Sequence, residues 1–188
     1  MSRLFQYAGI AASTVLIAFG IGATVIGIDG RDRVRSELAR EQIVGTPDST
    51  IPDQLVNTGS EAQAFAVVMR KHTLEATGGK TYAQMPRFLD ASGKGTNDEK
   101  AAATDPKSGG PVANPARDIW VTSTALTTAL NTAYFAESTA TFVIVMGIAL
   151  LLTGFGFLVL TLQGLRQPRA KTQTAERLPA TKAAVGAA

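Results

Sequence analysis

The sequence predicts an all-α membrane protein, with two transmembrane helices extended into a small extracytoplasmic helical subdomain. Three observations predict it. Thr139–Leu162 (TATFVIVMGIALLLTGFGFLVLTL) runs for 24 residues without a charge, and Tyr7–Ile28 (YAGIAASTVLIAFGIGATVIGI) for 22. Either exceeds the ~20 residues an α-helix needs to cross a bilayer core. Between them, Ser60–Thr77 has the apolar spacing of a helix that packs one face on a neighbour.

Residues 1–6 form a short N-terminus with Arg3 as its one basic residue. The first apolar run, 7–28, is longer than the core of a signal peptide, and Ile21–Ile28 continues it past the small residues Ala18 and Gly20. A retained transmembrane helix is therefore expected. Gly9/Ser13, Gly20/Thr24 and Ala23/Gly27 are each four apart, which places each pair on one face and admits a close neighbour. Gly147 and Gly154, seven apart in the second run, offer a matching face, so the two spans are expected to pack on each other before any partner.

Arg31–Gln42 (RDRVRSELAREQ) mixes charges of both signs and reads as a solvated continuation of the first helix, weakened at Gly30. Ile43–Gly59 is punctuated by Gly45, Pro47, Asp48, Pro52, Asp53 and Asn57, which are turn formers. Ser60 with Gln63 then fits a capping box. Phe65, Val68, Met69, His72 and Ala76 define one helical face, and Gly78–Gly79 close the helix as a left-handed cap does. Thr81–Leu89 is expected to add a turn or two of helix before Pro86 interrupts.

Residues 91–117 (ASGKGTNDEKAAATDPKSGGPVANPAR) lack a sustained apolar period and read as a flexible linker within the 29–138 extracytoplasmic segment. From Ile119 the chain is uncharged to Ala136, and a single helix is expected from Ile119 through the second span, 139–162. Residues 163–188 are basic, then rich in Ala, Thr and Pro, and read as a disordered cytoplasmic tail.

The charges sort by position. Residues 29–138 hold 12 Lys/Arg and 14 Asp/Glu, so the excess of +3 comes from the flanks of the apolar runs. That pattern is not the clustered basic face of a nucleic-acid binder. Arg166, Arg169 and Lys171 follow the second run, which has no Lys or Arg before it back to Asp118. The positive-inside rule then gives N-in, C-in in the plasma membrane. Arg31, Arg33 and Arg35 after the first run point the other way, but they flank a segment too long for its charges to set orientation.

The chain has no cysteine and one histidine, His72. Disulfides, thiolate metal sites and thiol catalysis are excluded, and no zinc or iron site built on paired imidazoles is available. Gly78-Gly79-Lys80-Thr81 echoes a phosphate-binding loop, yet Leu74 stands where the first glycine belongs and a helix, not a strand, precedes it. His72 reads as a packed, hydrogen-bonded residue, and Glu75 as a solvated partner of Lys71 or Lys80.

Leu38, Glu41 and Ile43 after the first run, the block His72, Leu74, Thr77, Gly78, Gly79, Lys80, Thr81, Tyr82 and Ala83, and the closing apolar run carry a resemblance. The chain resembles a family of small two-span membrane proteins from actinobacteria, from which it departs by the long insert 91–117. The resemblance implies the two-span architecture and a possible interaction motif at His72 and Gly78–Tyr82, with no characterised activity. Members often carry the name aromatic ring-opening dioxygenase. That reaction needs Fe(II) held by two histidines and a carboxylate, and one histidine does not supply them. The expectation is thus a non-enzymatic accessory or interaction subunit of a membrane or cell-envelope complex. No cofactor, metal or nucleic acid is expected; the lipid bilayer and a membrane-protein partner or a second copy are. An enzyme acting through His72, or a small homo-oligomer, is the alternative.

Overall fold

The computed structural model describes residues 3–166, with side chains from 6 to 164. The tail at 163–188, read from the sequence as disordered, lies almost wholly outside these residues, as does the start of the 1–6 segment. Three helices dominate: α1 (Arg3–Arg40), α2 (Gly59–Ala76) and α3 (Pro115–Arg166). A 3-10 turn (Tyr82–Gln84) and two short strands, β1 (Phe88–Leu89) and β2 (Gly95–Thr96), lie between α2 and α3. The fold is therefore mostly helical, not all-α: β1 and β2 pair antiparallel, Phe88 opposite Thr96.

At ~1.5 Å per residue, α1 is ~57 Å and α3 ~78 Å long. Each contains a stretch long and apolar enough to cross a membrane, and each continues well beyond it. Gly30 does not break α1, because the helix is supported on α3 throughout. The two helices pack antiparallel along a seam of small residues. A Cβ added to Gly20 would stand 2.8 Å from the Gly147 carbonyl oxygen, and one added to Gly147 would meet Thr24 and stand 2.7 Å from its backbone nitrogen. Toward the chain ends, Gly154 lies under Ile17 and Gly9 under Thr161; toward α2, Gly27 lies under Ile144 and the Ala140 carbonyl. At Gly20, Gly27, Gly147 and Gly154 backbone atoms of the facing helix are among the contacts, so there the main chains themselves approach closely. Ser13 and Thr24 return their hydroxyls to the carbonyls of Gly9 and Gly20 at 2.8 Å, which leaves no unpaired donor in the seam. The outer faces of both stretches stay apolar and uncovered: Phe19 and Ile26 on α1, Phe142 and Leu152 on α3.

Above the seam, α2 lies antiparallel on α3 and closes a core of Leu38, Val56, Ala62, Phe65, Ala66, Val68 and Leu130. Its buried stripe is Gly59, Ala62, Ala66, Thr73 and Thr77, with Phe65 and Val68 beside it. This differs from the expected face: Ala76 is exposed and His72 is only half-buried. The small residues won because α2 seats close to α3, and Thr73 and Thr77 tolerate burial by bonding back to Met69 and Thr73 carbonyls at 2.6 and 2.9 Å. The capping box also sits earlier than expected. Thr58 caps the helix, its hydroxyl accepting from the Glu61 N–H, while Glu61 accepts from the Thr58 N–H. The start of α3 is likewise earlier than Ile119. Asn114 accepts from the Ala116 N–H and Pro115 occupies the first turn, where its missing N–H costs nothing.

The segment read as a linker, 91–117, is hydrogen-bonded throughout much of its length. Asp90 holds the turn of the hairpin by accepting from Ser92 and Lys94, and those bonds hold its pKa below the ordinary carboxylate range. Leu89 N–H donates to Val112 and Ala103 N–H to Leu89, so three passes of chain are tied together. Side-chain periodicity is silent here because turns and backbone pairing, not an apolar face, make the structure.

Candidate functional site

Where α1 and α3 leave their apolar stretches, the three helices meet at Glu137. This residue is the one acid between Asp118 and the end of the second apolar run. α3 turns it inward toward α1 and α2, and its residue is only 8% exposed. One carboxylate oxygen receives the Arg35 guanidinium through Nε and Nη2, both at 2.6 Å. The other accepts the backbone N–H of Gly59 at the start of α2. Glu137 thus ties α1 and α2 to α3 through a single side chain. Gly59 has to be glycine at this approach, since a Cβ would stand 2.9 Å from both the Glu137 carboxylate and the Tyr134 Cα.

A cavity of about 460 Å³ opens beside this node, lined by Arg31, Arg35, Gly59, Ser60, Tyr134, Glu137, Ser138 and Thr141. Arg31 lies one turn before Arg35 on the same face of α1. Its Nε is shut away from solvent and has no hydrogen-bond partner. Ser138 and Thr141 straddle the first residue of the second apolar run, and Arg31 follows the first run by three residues. The cavity therefore sits at the level where both helices change from apolar to polar.

On the other side of the α1–α3 pair is an apolar groove of about 650 Å³, lined by Val34, Leu38, Ile43, Leu126, Leu130 and Ala133, with Arg33, Glu37 and Glu41 at its rim. It shares Thr132 and Ala136 with a second depression of about 360 Å³ that runs down past Gly30, Gly27 and Ala140 to Val143. The two form one trough from the apolar stretches into the polar part of the molecule.

The residues singled out from the sequence do not form one site. His72 Nε2 lies 3.0 Å from Asp48 in the 43–58 connection, and Lys71 Nζ 2.9 Å from the same carboxylate oxygen. The bonds from Lys71, then His72 and Thr46, hold the Asp48 carboxyl well below the usual carboxylate range, and Asp48 in turn raises Lys71. Lys71 therefore pairs with Asp48 and not with Glu75 as expected. Gly78 and Gly79 have φ of +61° and +75° and close α2, with Gly79 N–H donating to the Leu74 carbonyl. Lys80 offers its carbonyl to the Thr77 hydroxyl at 2.7 Å, and Thr81 pairs with Gln84. The Arg117 guanidinium lies 3.8 Å over the Tyr82 ring and donates to the Met85 carbonyl. This block ends a helix and ties the following turn to the start of α3. Of the packing residues, Gly20, Thr24, Gly147 and Gly154 all lie in the α1–α3 seam. Among the described residues, no group of three or more His, Asp or Glu is arranged to hold a metal.

Glu137, Arg31 and Arg35 were not singled out from the sequence. The available signal was an isolated acid at the mouth of a long apolar run, where an ionisable side chain needs a partner. Compared with protein-family models, characterised proteins and solved structures, the chain finds no match.

Proposed function

We propose that this chain is a two-span integral membrane protein that acts as a non-enzymatic interaction subunit, docking a helix of a membrane-protein partner in the trough between α1 and α3. One observation carries the reading. An apolar trough continues from the apolar stretches past Leu130 to Ile43, outside the reach of lipid tails. Apolar surface of this extent in water is a binding face by default. A partner helix that leaves the membrane beside α1 and α3 covers both halves of it at once. Gly27, Gly30, Ala133, Ala136 and Ala140 let such a helix come close, and Arg33, Glu37 and Glu41 offer charges to its polar end.

Membrane insertion is supported by burial. Only 11% of the most apolar window of either long helix is buried inside the chain, whereas the core helix of a soluble protein is mostly buried. The basic flank Arg166, Arg169 and Lys171 supports N-in, C-in, with 29–138 outside the plasma membrane. The arginines that spoke against it have another use: Arg35 serves Glu137.

A photoreactive amino acid at Ala129, in the trough, tests the docking. The expected product is an adduct with one membrane protein that disappears in Ala136→Trp, which fills the trough. The same probe at Val67, exposed on α2, should give none. An adduct of equal yield at both positions, or lipid alone at Ala129, would sink the proposal.

A further inference from the structure

We infer that the cavity beside Glu137 binds a phosphate oxyanion, and that its source is the headgroup of an anionic phospholipid. The inference rests on the membrane reading but not on the docking trough, which lies on the other side of the helix pair. Two guanidiniums, Arg31 and Arg35, face one carboxylate, Glu137, so the lining carries one net positive charge. Both oxygens of Glu137 are engaged, one by Arg35 and one by Gly59 N–H, and Arg31 donates to neither. Among the described residues Arg31 forms no ion pair, and its Nε is withdrawn from water without a partner. Guanidinium matches phosphate in charge and in fork geometry. Ser60, Tyr134 and Ser138 line the same cavity and bring hydroxyls that suit the remaining oxygens.

Depth selects the source. Arg31 on α1 and Ser138 on α3 stand where the apolar runs end, which is the headgroup layer once the helices are inserted. A phospholipid phosphate is held at that depth at high local concentration, and its acyl chains run down the uncovered faces of α1 and α3. The single net charge favours lipids of net negative charge over zwitterionic ones, because a headgroup ammonium returns the repulsion the phosphate removes.

The test uses the full chain purified in detergent and examined by native mass spectrometry. Phosphatidylglycerol, phosphatidylcholine and inorganic phosphate are titrated separately. Wild type should retain one phosphatidylglycerol at least ~10-fold more tightly than phosphatidylcholine, the difference that about 1.4 kcal/mol gives. Arg31→Gln should abolish that preference, and Arg31→Lys should restore part of it. Unchanged preference in Arg31→Gln, or no preference in wild type, overturns the site. Displacement of the lipid by inorganic phosphate at low millimolar concentration overturns the lipid as its source. Circular dichroism of each variant confirms that helix content is retained. Flotation of the chain with pure phosphatidylcholine vesicles reports insertion alone, so failure of the membrane reading shows separately.

Discussion

Replacing Glu137 by alanine should loosen the seating of α2 on α3 while leaving the two long helices paired. The substitution removes the acceptor of two interactions, the Arg35 guanidinium and the Gly59 N–H. Their costs differ. Arg35 is 44% exposed in its side chain, so it rehydrates when released and its share is small, about 0.5–1 kcal/mol. Gly59 is buried at the close approach of α2 to α3, and its N–H loses its carboxylate acceptor there, which costs about 1–3 kcal/mol. The cavity left by the shortened side chain adds to this. The sum is about 2–4 kcal/mol, carried by the docking of α2 on α3. Glu137→Gln retains an acceptor for Gly59 and loses the charge, so about 1–2 kcal/mol is expected. The assay is built into the chain. Trp120 is the lone tryptophan, is buried beneath the C-terminal half of α2, and has the Arg70 guanidinium 4.2 Å from its ring centre. Undocking of α2 in urea, in detergent micelles, should shift Trp120 emission to the red, with the midpoint lowest for Ala, intermediate for Gln and highest for wild type. An alanine variant within about 0.5 kcal/mol of wild type, or a glutamine variant as weak as alanine, refutes the reasoning that the Gly59 bond is the larger share.

Three further outcomes follow from the packing and the charges. Gly147→Leu should push α1 and α3 apart, since even its Cβ would stand 2.7 Å from the Thr24 backbone nitrogen and 2.9 Å from the Gly20 carbonyl; Gly30→Ala meets only Ala140 Cβ at 3.8 Å and should stabilise α1 by about 0.5–1 kcal/mol. Cross-linking of cysteine pairs across the seam reads the first, and thermal unfolding the second, where a destabilised Gly30→Ala contradicts the geometry. Because the Asp48 carboxyl is depressed in the folded chain, its contribution is present above the ordinary carboxylate value of about 4 and is lost only as pH falls through the lower folded value. Proteolysis of the 43–58 connection should therefore stay slow down to about pH 4 in wild type and be faster in Asp48→Asn at pH 7; equal rates at pH 7 would show that Lys71 and His72 do not anchor it. A cysteine at Ser108 should react with an impermeant reagent on intact cells, and labelling only after lysis would reverse the proposed orientation.

The two apolar runs and the basic flank could be read by counting, because crossing a bilayer is a one-dimensional requirement on length and charge. The closing of α2 at Gly78–Gly79 was equally legible, since a left-handed backbone calls for glycine. The face of α2 was legible only in part: Phe65 and Val68 enter the core and Met69 packs against it, whereas His72 is half-buried and Ala76 exposed. Its stripe is made of Gly59, Ala62, Ala66, Thr73 and Thr77, which hydropathy ranks below the half-buried Met69. The hairpin at 88–96 was hidden because strands of two residues leave no alternation to see.

The sequence by itself determined that two long apolar helices exist, where they begin to turn polar, and that small residues at Gly20, Thr24, Gly147 and Gly154 permit close packing. Only the tertiary structure decided that Arg35 and Glu137, 102 residues apart, satisfy each other and leave Arg31 without a partner. The reason is physical. Length, hydropathy and local turn chemistry act along the chain and are written in it. The pairing of a buried charge depends on which helices meet, and that choice is made only when the chain is folded.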